Sequence, residues 1–411
     1  MALDLANVTA ALRDWYSPLR IANMFLKGRT FSMLPKVTNF EGLKFVHPIQ
    51  SALGSGMSAS ASVAFSSSSA ASPRFQRWEV DSTRAFCGRL VEGQVIDRTK
   101  SSQGSWLRAI TTVTDDAYQE FVQNTSISLW GTGSGSLGQI AAGSDVSTTQ
   151  ITLTNVADAR KFRIGQILQG DLVDGGGTVN AGTATLTKVD PNTGVLTASA
   201  AWTSITGAAV GMYLFGQGNY DSVFAGIPAW IPTVAKRDAG ILSTTFNNVD
   251  RSINPLVLAG HAIAGHGAPK ITTIERLGVQ ISSTGGTPDI CVVSFDDYSD
   301  ILESLGTRAM IVDQAAYKMP QVSFPAVQLA TSFGPVKIFA DQFVPSNDFW
   351  MLSSKTWQFL SMGAYPYTKM HDGLSLRAIE AADSYGYRII GDGLLYCSSP
   401  FDNGTGQFAD V

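Results

Sequence analysis

Charge is scarce in this chain. Asp, Glu, Lys and Arg make up 15% of its 411 residues, against roughly a quarter in an ordinary soluble domain. A surface so poor in charge is expected to be buried against partners. Cysteine is scarcer. Cys87, Cys291 and Cys397 are odd in number and far apart, which implies no disulfide framework and fits cytosolic assembly. No apolar run approaches the roughly 18 residues of a membrane span, and no basic-then-apolar signal pattern opens the sequence. Catalytic signatures are missing too: there is no G-x-S-x-G, no H-E-x-x-H and no P-loop. The histidines are His47, His261, His266 and His371. His261 and His266 are close in sequence, but no nearby Cys or carboxylate completes a ligand set.

Other chemical signals have plainer readings. Gly133 to Gly138 spell GSGSLG, the spacing of a dinucleotide fingerprint. That fingerprint must follow a strand and open a helix; here a helix precedes it and β structure follows, so a flexible junction is expected. Asp289, Asp296, Asp297 and Asp300 cluster about a helix start, where negative charge suits the helix dipole. Cys291 in an apolar strand reads as a packed thiol. Asn7, Asn124 and Asn403 stand in N-x-S/T sequons, which carry no meaning without secretion. No catalytic, cofactor or metal residue is nominated.

What is present is pattern. The net charge is −4, yet residues 1–100 hold twelve Lys/Arg against seven Asp/Glu. That mildly basic first quarter suits an acidic partner without arguing sequence-specific nucleic-acid binding. Residues 51–73 are almost all Ser, Ala and Gly with no charge until Arg74, the composition of a linker. Within them Met57, Ala59, Ala61, Val63 and Phe65 share one parity. Gln76, Trp78 and Val80 then alternate with Arg77, Glu79 and Asp81. Period two predicts two strands, hence a long hairpin with a serine tip. A two-stranded ribbon is marginal alone, so its apolar row is expected to lie on another subunit.

Elsewhere the periods change. Leu12, Trp15, Leu19 and Ala22 predict a partly helical N-terminal arm. Trp106, Ile110, Val113, Ala117 and Phe121 predict a helix over 104–130, ended by the Gly-rich run from Gly131. Residues 141–216 are short β runs between turns, with VDPNTGV a hairpin signal. Gly-rich segments on both sides read as paired linkers. Pro269 opens a helix carrying Ile271, Ile274, Leu277 and Ile281. Asp289–Val293 reads as a buried strand. Ser294 caps a helix with Asp297 three residues on, and Gly306 ends it. PVKIFA, DFWMLS and TWQFLSM read as closing strands.

This order, with FAGIPAWIP at 224–232, FNNVDRSINPLVLAG at 246–260, VVSFDDYSDILESLGTR at 292–308 and GPVKIFADQFVPSNDFWMLSSKTWQFLSMG at 334–363, resembles the tailed-phage major capsid protein of the HK-ninety-seven-like fold. The resemblance implies an α+β fold: an N-terminal arm (1–36), an extended hairpin loop (37–100), a spine helix of the peripheral domain (101–140), an axial domain (217–335) and closing strands (336–411), with an inserted small β-barrel domain at 141–216. It implies an icosahedral shell of pentamers and hexamers in a virion assembled in the host cytoplasm. Scaffolding protein, portal protein, packaged double-stranded DNA and a possible decoration protein become the expected partners, and no membrane. On this view Met57, Val63, Phe65, Arg74, Arg77, Trp78, Glu79 and Asp81 form the intersubunit face of the extended loop, and Asp250 and Arg251 an axial-domain motif. Some relatives cross-link through a lysine in that loop; residues 51–73 have none. Three rivals remain: an encapsulin-like compartment, a tail protein, and a β-rich sugar-active enzyme, which would need a carboxylate pair that the sequence does not single out.

Overall fold

The computed structural model describes residues 30–54, 56–70, 72–93, 103–305, 327–331, 334–368, 376–379 and 382–408. The arm's helical stripe at Leu12 to Ala22, and the stop at Gly306, lie outside these. After a short helix, Thr30–Met33, and β1 (Lys36–Val37), the chain enters β2 (Lys44–Ala52). It returns along β3 (Arg74–Asp81), antiparallel, from Lys44 opposite Asp81 to Gln50 opposite Phe75.

The hairpin exists, but its strands are not those of the alternation at 57–65. That stretch holds a helix, Ala61–Ala70, at the hairpin tip. Its first turn closes with Ala64 N donating to Ser60 O at 2.9 Å. Alternation alone therefore did not make this stretch a strand, although Met57, Val63 and Phe65 share a parity.

β4 (Thr83–Glu92) pairs with a long strand near the C-terminus, β21 (Ala382–Cys397), over Ser384–Gly393. β18 (Trp357–Ser361) takes over at Gly393–Cys397, and β1 runs parallel to β18. β19 (Tyr367–Thr368) and β20 (Leu376–Ile379) also pair with β21. A helix over Gln103–Leu129 lies on this sheet. Its Ala117 and Phe121 pack against Cys87, Tyr387 and Ile389; the side chains of Trp106, Ile110 and Val113, earlier in the predicted stripe, lie outside those described.

Next comes a six-stranded sheet built within 136–216: β5 (Ser136–Gln139), β6 (Gln150–Thr152), β7 (Ile167–Asp171), β8 (Ala184–Asp190), β9 (Val195–Ala198) and β10 (Tyr213–Gly216), in the order β5-β10-β7-β8-β9-β6. It closes on itself. Ala141 N donates to Thr152 O at 2.9 Å and Thr154 N to Gln139 O at 2.8 Å, joining the two outer strands into a barrel. The turn at Asp190–Gly194 connects β8 to β9, and Gly194 there takes φ +70°, the left-handed region that costs glycine least.

The flanking segments are not free linkers. Asp221 N donates to Ser134 O at 2.9 Å and Gly226 N to Gly131 O at 3.2 Å, so ingoing and outgoing chains are bonded to each other. The barrel's 172–177 loop folds back on both. Ser134 Oγ donates to Asp174 at 2.7 Å, and Gly176 N to Asp221 at 2.7 Å. Glycine-rich composition reads as flexible in sequence because these partners are distant along the chain.

Past a small hairpin, β11 (Thr245–Phe246) and β12 (Val249–Asp250), a mixed sheet follows. Its strands are β13 (His261–Ala264), β14 (Ile290–Val293), β15 (Val327–Thr331), β16 (Gly334–Ala340), β17 (Asp348–Leu352) and β22 (Gly404–Gln407), ordered β13-β22-β17-β14-β16-β15. Helix Lys270–Ser283 buries Ile274, Leu277 and Ile281 on it; Ile271 is only partly buried. Ser294 caps helix Phe295–Leu305, with Asp297 N donating to Ser294 Oγ at 3.1 Å. Trp130 meets Trp350 at 5.2 Å, and Trp230 Nε1 and Trp350 Nε1 each donate to a buried carbonyl, of Leu395 and Ile231. These tryptophans tie the long helix, the first sheet and the mixed sheet into one core.

Candidate intersubunit interface

The extended hairpin has two unlike faces. Its inner face carries Phe45 and His47 from β2 with Trp78 and Val80 from β3. Phe45 meets Tyr396 at 4.7 Å, and Trp78 meets Trp230 at 5.1 Å and Phe246 at 6.1 Å. Trp78 is fully buried. Expected on an intersubunit face, it belongs instead to its own subunit's core. Its parity was apolar as read, but the cover comes from the same chain, far along the sequence.

The outer face carries Lys44, Val46, Phe75, Arg77, Glu79 and Asp81. Arg77 Nε stands 2.7 Å from Glu79, and Lys44 Nζ 3.3 Å from Asp81. Glu79 also accepts from Asn248 Nδ2 at 3.2 Å. Surface ion pairs of this kind are worth about 0–1 kcal/mol each. They set charge pattern more than stability.

Towards the tip the surface is apolar. Leu53 is 84% exposed, Met57 wholly exposed, Phe65 76% and Phe75 70%. Val63 is half exposed on the tip helix, so Val63, Phe65 and Met57 do not form the single strand row that the sequence suggested. Arg74 opens β3 with an exposed side chain, and its carbonyl accepts from Ser51 Oγ at 3.4 Å.

Exposed apolar side chains occur also on β4, where Phe86 and Leu90 are both about two-thirds exposed while Cys87 and Val91 on the other parity are buried. Sequence reasoning missed Leu53, Phe75, Phe86 and Leu90. A strand apolar on both parities was the available signal at β4. Clustered exposed apolar side chains, as at the tip, mark surfaces that a partner covers.

Asp250 and Arg251 lie in and just after the β11–β12 hairpin, ahead of the first strand of the mixed sheet. Asp250 closes a local turn by accepting from Ser252 N at 2.9 Å and Ser252 Oγ at 2.6 Å. Arg251 is buried, donates to Ala229 O at 2.8 Å and stacks over Phe246 at 4.5 Å. Burial holds its pKa down to about 10. Both residues serve the fold beneath the hairpin. All three cysteines are free thiols, and burial pushes each pKa up, that of Cys87 to about 12. Among the described residues no three His, Cys, Asp or Glu side chains gather as metal ligands, and no helix is long and apolar enough to cross a membrane.

No protein-family model and no curated protein matches the sequence. Solved structures do match. The fold superposes on a chain of the cyanophage A-1(L) capsid asymmetric unit over 98% of this chain and 99% of that one, with TM-score 0.55 at 11% identity. Chains from the mycobacterium phages Bobi and Adephagia align over nearly all of both chains at 9% and 10% identity, with TM-scores of 0.48 and 0.45. The cyanophage likeness, end to end at low identity, shows that this chain has the α+β fold of a phage capsid subunit.

Proposed function

We propose that the chain is the major capsid protein of a tailed double-stranded DNA phage, a non-enzymatic subunit that assembles with its own copies as pentamers and hexamers of an icosahedral shell. The observation that carries this reading is the concentration of exposed large apolar side chains on the extended hairpin and on β4, within a fold shared along its length with a phage capsid chain. A second copy covers both: the tip of one hairpin lies on the β4 face of the next subunit. Repetition around a closed shell multiplies contacts that are individually weak.

The remaining partners follow from that role. A scaffolding protein guides closure, a portal occupies one vertex, and DNA meets the inner surface through non-specific charge. The barrel at 136–216 is an accessory domain inserted after the spine helix, open to a decoration protein. The assembled protein resides in the virion, having formed in the host cytoplasm.

Electron microscopy of the chain expressed with its scaffold tests the proposal. Closed shells, containing DNA when recovered from infected cells, are expected. Tubes would indicate a tail protein, and shells filled with a cargo enzyme a compartment of the encapsulin kind. A subunit that stays monomeric at high concentration with its scaffold overturns the shell reading.

A further inference from the structure

The barrel's strands pack chiefly on one another, its buried side chains join the apolar cluster that holds Ile127, Leu129 and Trp130 at the end of the long helix, and a few polar ties also set its orientation. One is a single arginine. Arg163 stands between the short turn Val156–Lys161 and β7, and its guanidinium reaches out of the barrel to the long helix. Nη1 lies 3.1 Å from Glu120 Oε1, and Nη2 donates to Asn124 Oδ1 at 3.2 Å. The group is largely enclosed, and burial pulls its pKa down against the attraction of Glu120. A guanidinium that has given up so much water is stable only while its acceptors stay in place.

Glu120 is in turn held from the other side. Arg89 of β4 bonds to Glu120 and also, at 2.9 Å, to Asp116. Two cations and two anions thus join three elements: the barrel, the long helix and the first sheet. Glu120 lies nine residues before the helix end at Leu129, about 13 Å back at 1.5 Å per residue. The neck ties act elsewhere: Asp174 takes Ser134 Oγ at 2.7 Å and Lys236 Nζ at 3.0 Å, and Gly218 N donates to Gln169 at 3.1 Å. Those bonds act at one end of the helix. A second attachment well along it resists rotation about that end.

We propose that Arg163 is a latch that makes the barrel and the long helix one rigid body, so that any displacement of the helix is carried to the barrel. Arg163 is a positioning residue, and its role does not depend on the shell reading. The planar fork matters as well as the charge, since it serves Glu120 and Asn124 together.

Hydrogen exchange on the full-length subunit tests this with Arg163→Ala and Arg163→Lys. In the alanine variant, exchange in the neck (131–135 and 217–222) and in helix residues 116–124 is expected to rise about tenfold, the factor that ~1.4 kcal/mol supplies. The barrel strands 150–152 and 184–198 should keep wild-type protection. Lysine should fall between, reaching Glu120 but not Asn124 at once. Unchanged exchange in neck and helix overturns the latch. A rise spread equally over the barrel strands also overturns it, because Arg163 would then be a staple of the barrel's own fold. Should the alanine chain unfold outright, the lysine variant decides by the same segments.

Discussion

Trp78 shows what one enclosed side chain commits the subunit to. With Trp230 and Phe246 against it, Trp78→Ala leaves a cavity inside the subunit, at a cost of about 3–5 kcal/mol. The free subunit should melt earlier by circular dichroism, before assembly is asked of it. Asn403 carries comparable weight through polarity. Fully buried, it accepts from Ser353 N at 2.8 Å and Trp357 Nε1 at 2.9 Å and donates to Ser399 O at 2.7 Å, which gives a glycosylation sequon a purely internal use. Asp348 sets a pH dependence. Burial, with Asp297 nearby, raises its pKa to about 7, well above the unfolded carboxylate value of about 3.9. Between those values the folded state binds the proton and the unfolded state does not, so stability falls as pH rises from about 4 to 7. Asp348→Asn removes the penalty. Its gain in melting temperature over wild type should be largest near pH 8 and vanish near pH 4. A gain independent of pH would show that Asp348 is ionised in the fold.

The extended hairpin divides into a base that its own subunit covers and a tip that stands out from it. Leu53→Asp with Phe75→Asp should therefore leave the subunit's circular dichroism and melting unchanged while preventing shell formation in micrographs. Loss of both folding and assembly would place the tip in the subunit core; loss of neither would make it a passive loop. The same hairpin shows which parts of the fold were legible in sequence. Contrast helps. The stripe ending in Ala117 and Phe121, the Pro269 start and the Ser294 cap each set apolar or capping residues against clearly polar neighbours, and helices stand there. The alternation from Met57 to Phe65 had contrast too, yet a helix formed over Ala61–Ala70 where strand was expected, because among the described residues no paired strand covers that row. Trp78 was read to the right face but the wrong chain, because parity says that a side is covered and not by what. The neck was misread for the same reason: Asp174 and Asp221, which bind it, carry no local sign of their partners. The outer residues Phe86 and Leu90 escaped notice because the alternation was followed only as far as Asp81, short of β4.

The barrel raises the question of how much of the molecule is one folding unit. Its own core is substantial, with Leu168, Leu186, Leu196, Trp202 and Leu214 essentially inaccessible. Trp202 Nε1 donates to Thr149 O at 3.1 Å, so even its polar edge is satisfied from within. Closure removes exposed strand edges, the usual liability of an excised sheet. The ends abut: a Cβ on Gly135 would meet Asn219 O at 2.2 Å, so little chain entropy is spent in holding them together. Arg163 and Lys236 bond the barrel to elements outside it, Glu120 of the long helix and the segment after the neck. A segment spanning residues 134–222, expressed alone, should give a dispersed amide spectrum and a single cooperative melt. In it Trp202 should remain shielded from an aqueous quencher. A collapsed spectrum would mean that the barrel borrows its stability from the long helix and the neck, and that closure of the sheet is a consequence of docking instead of its precondition.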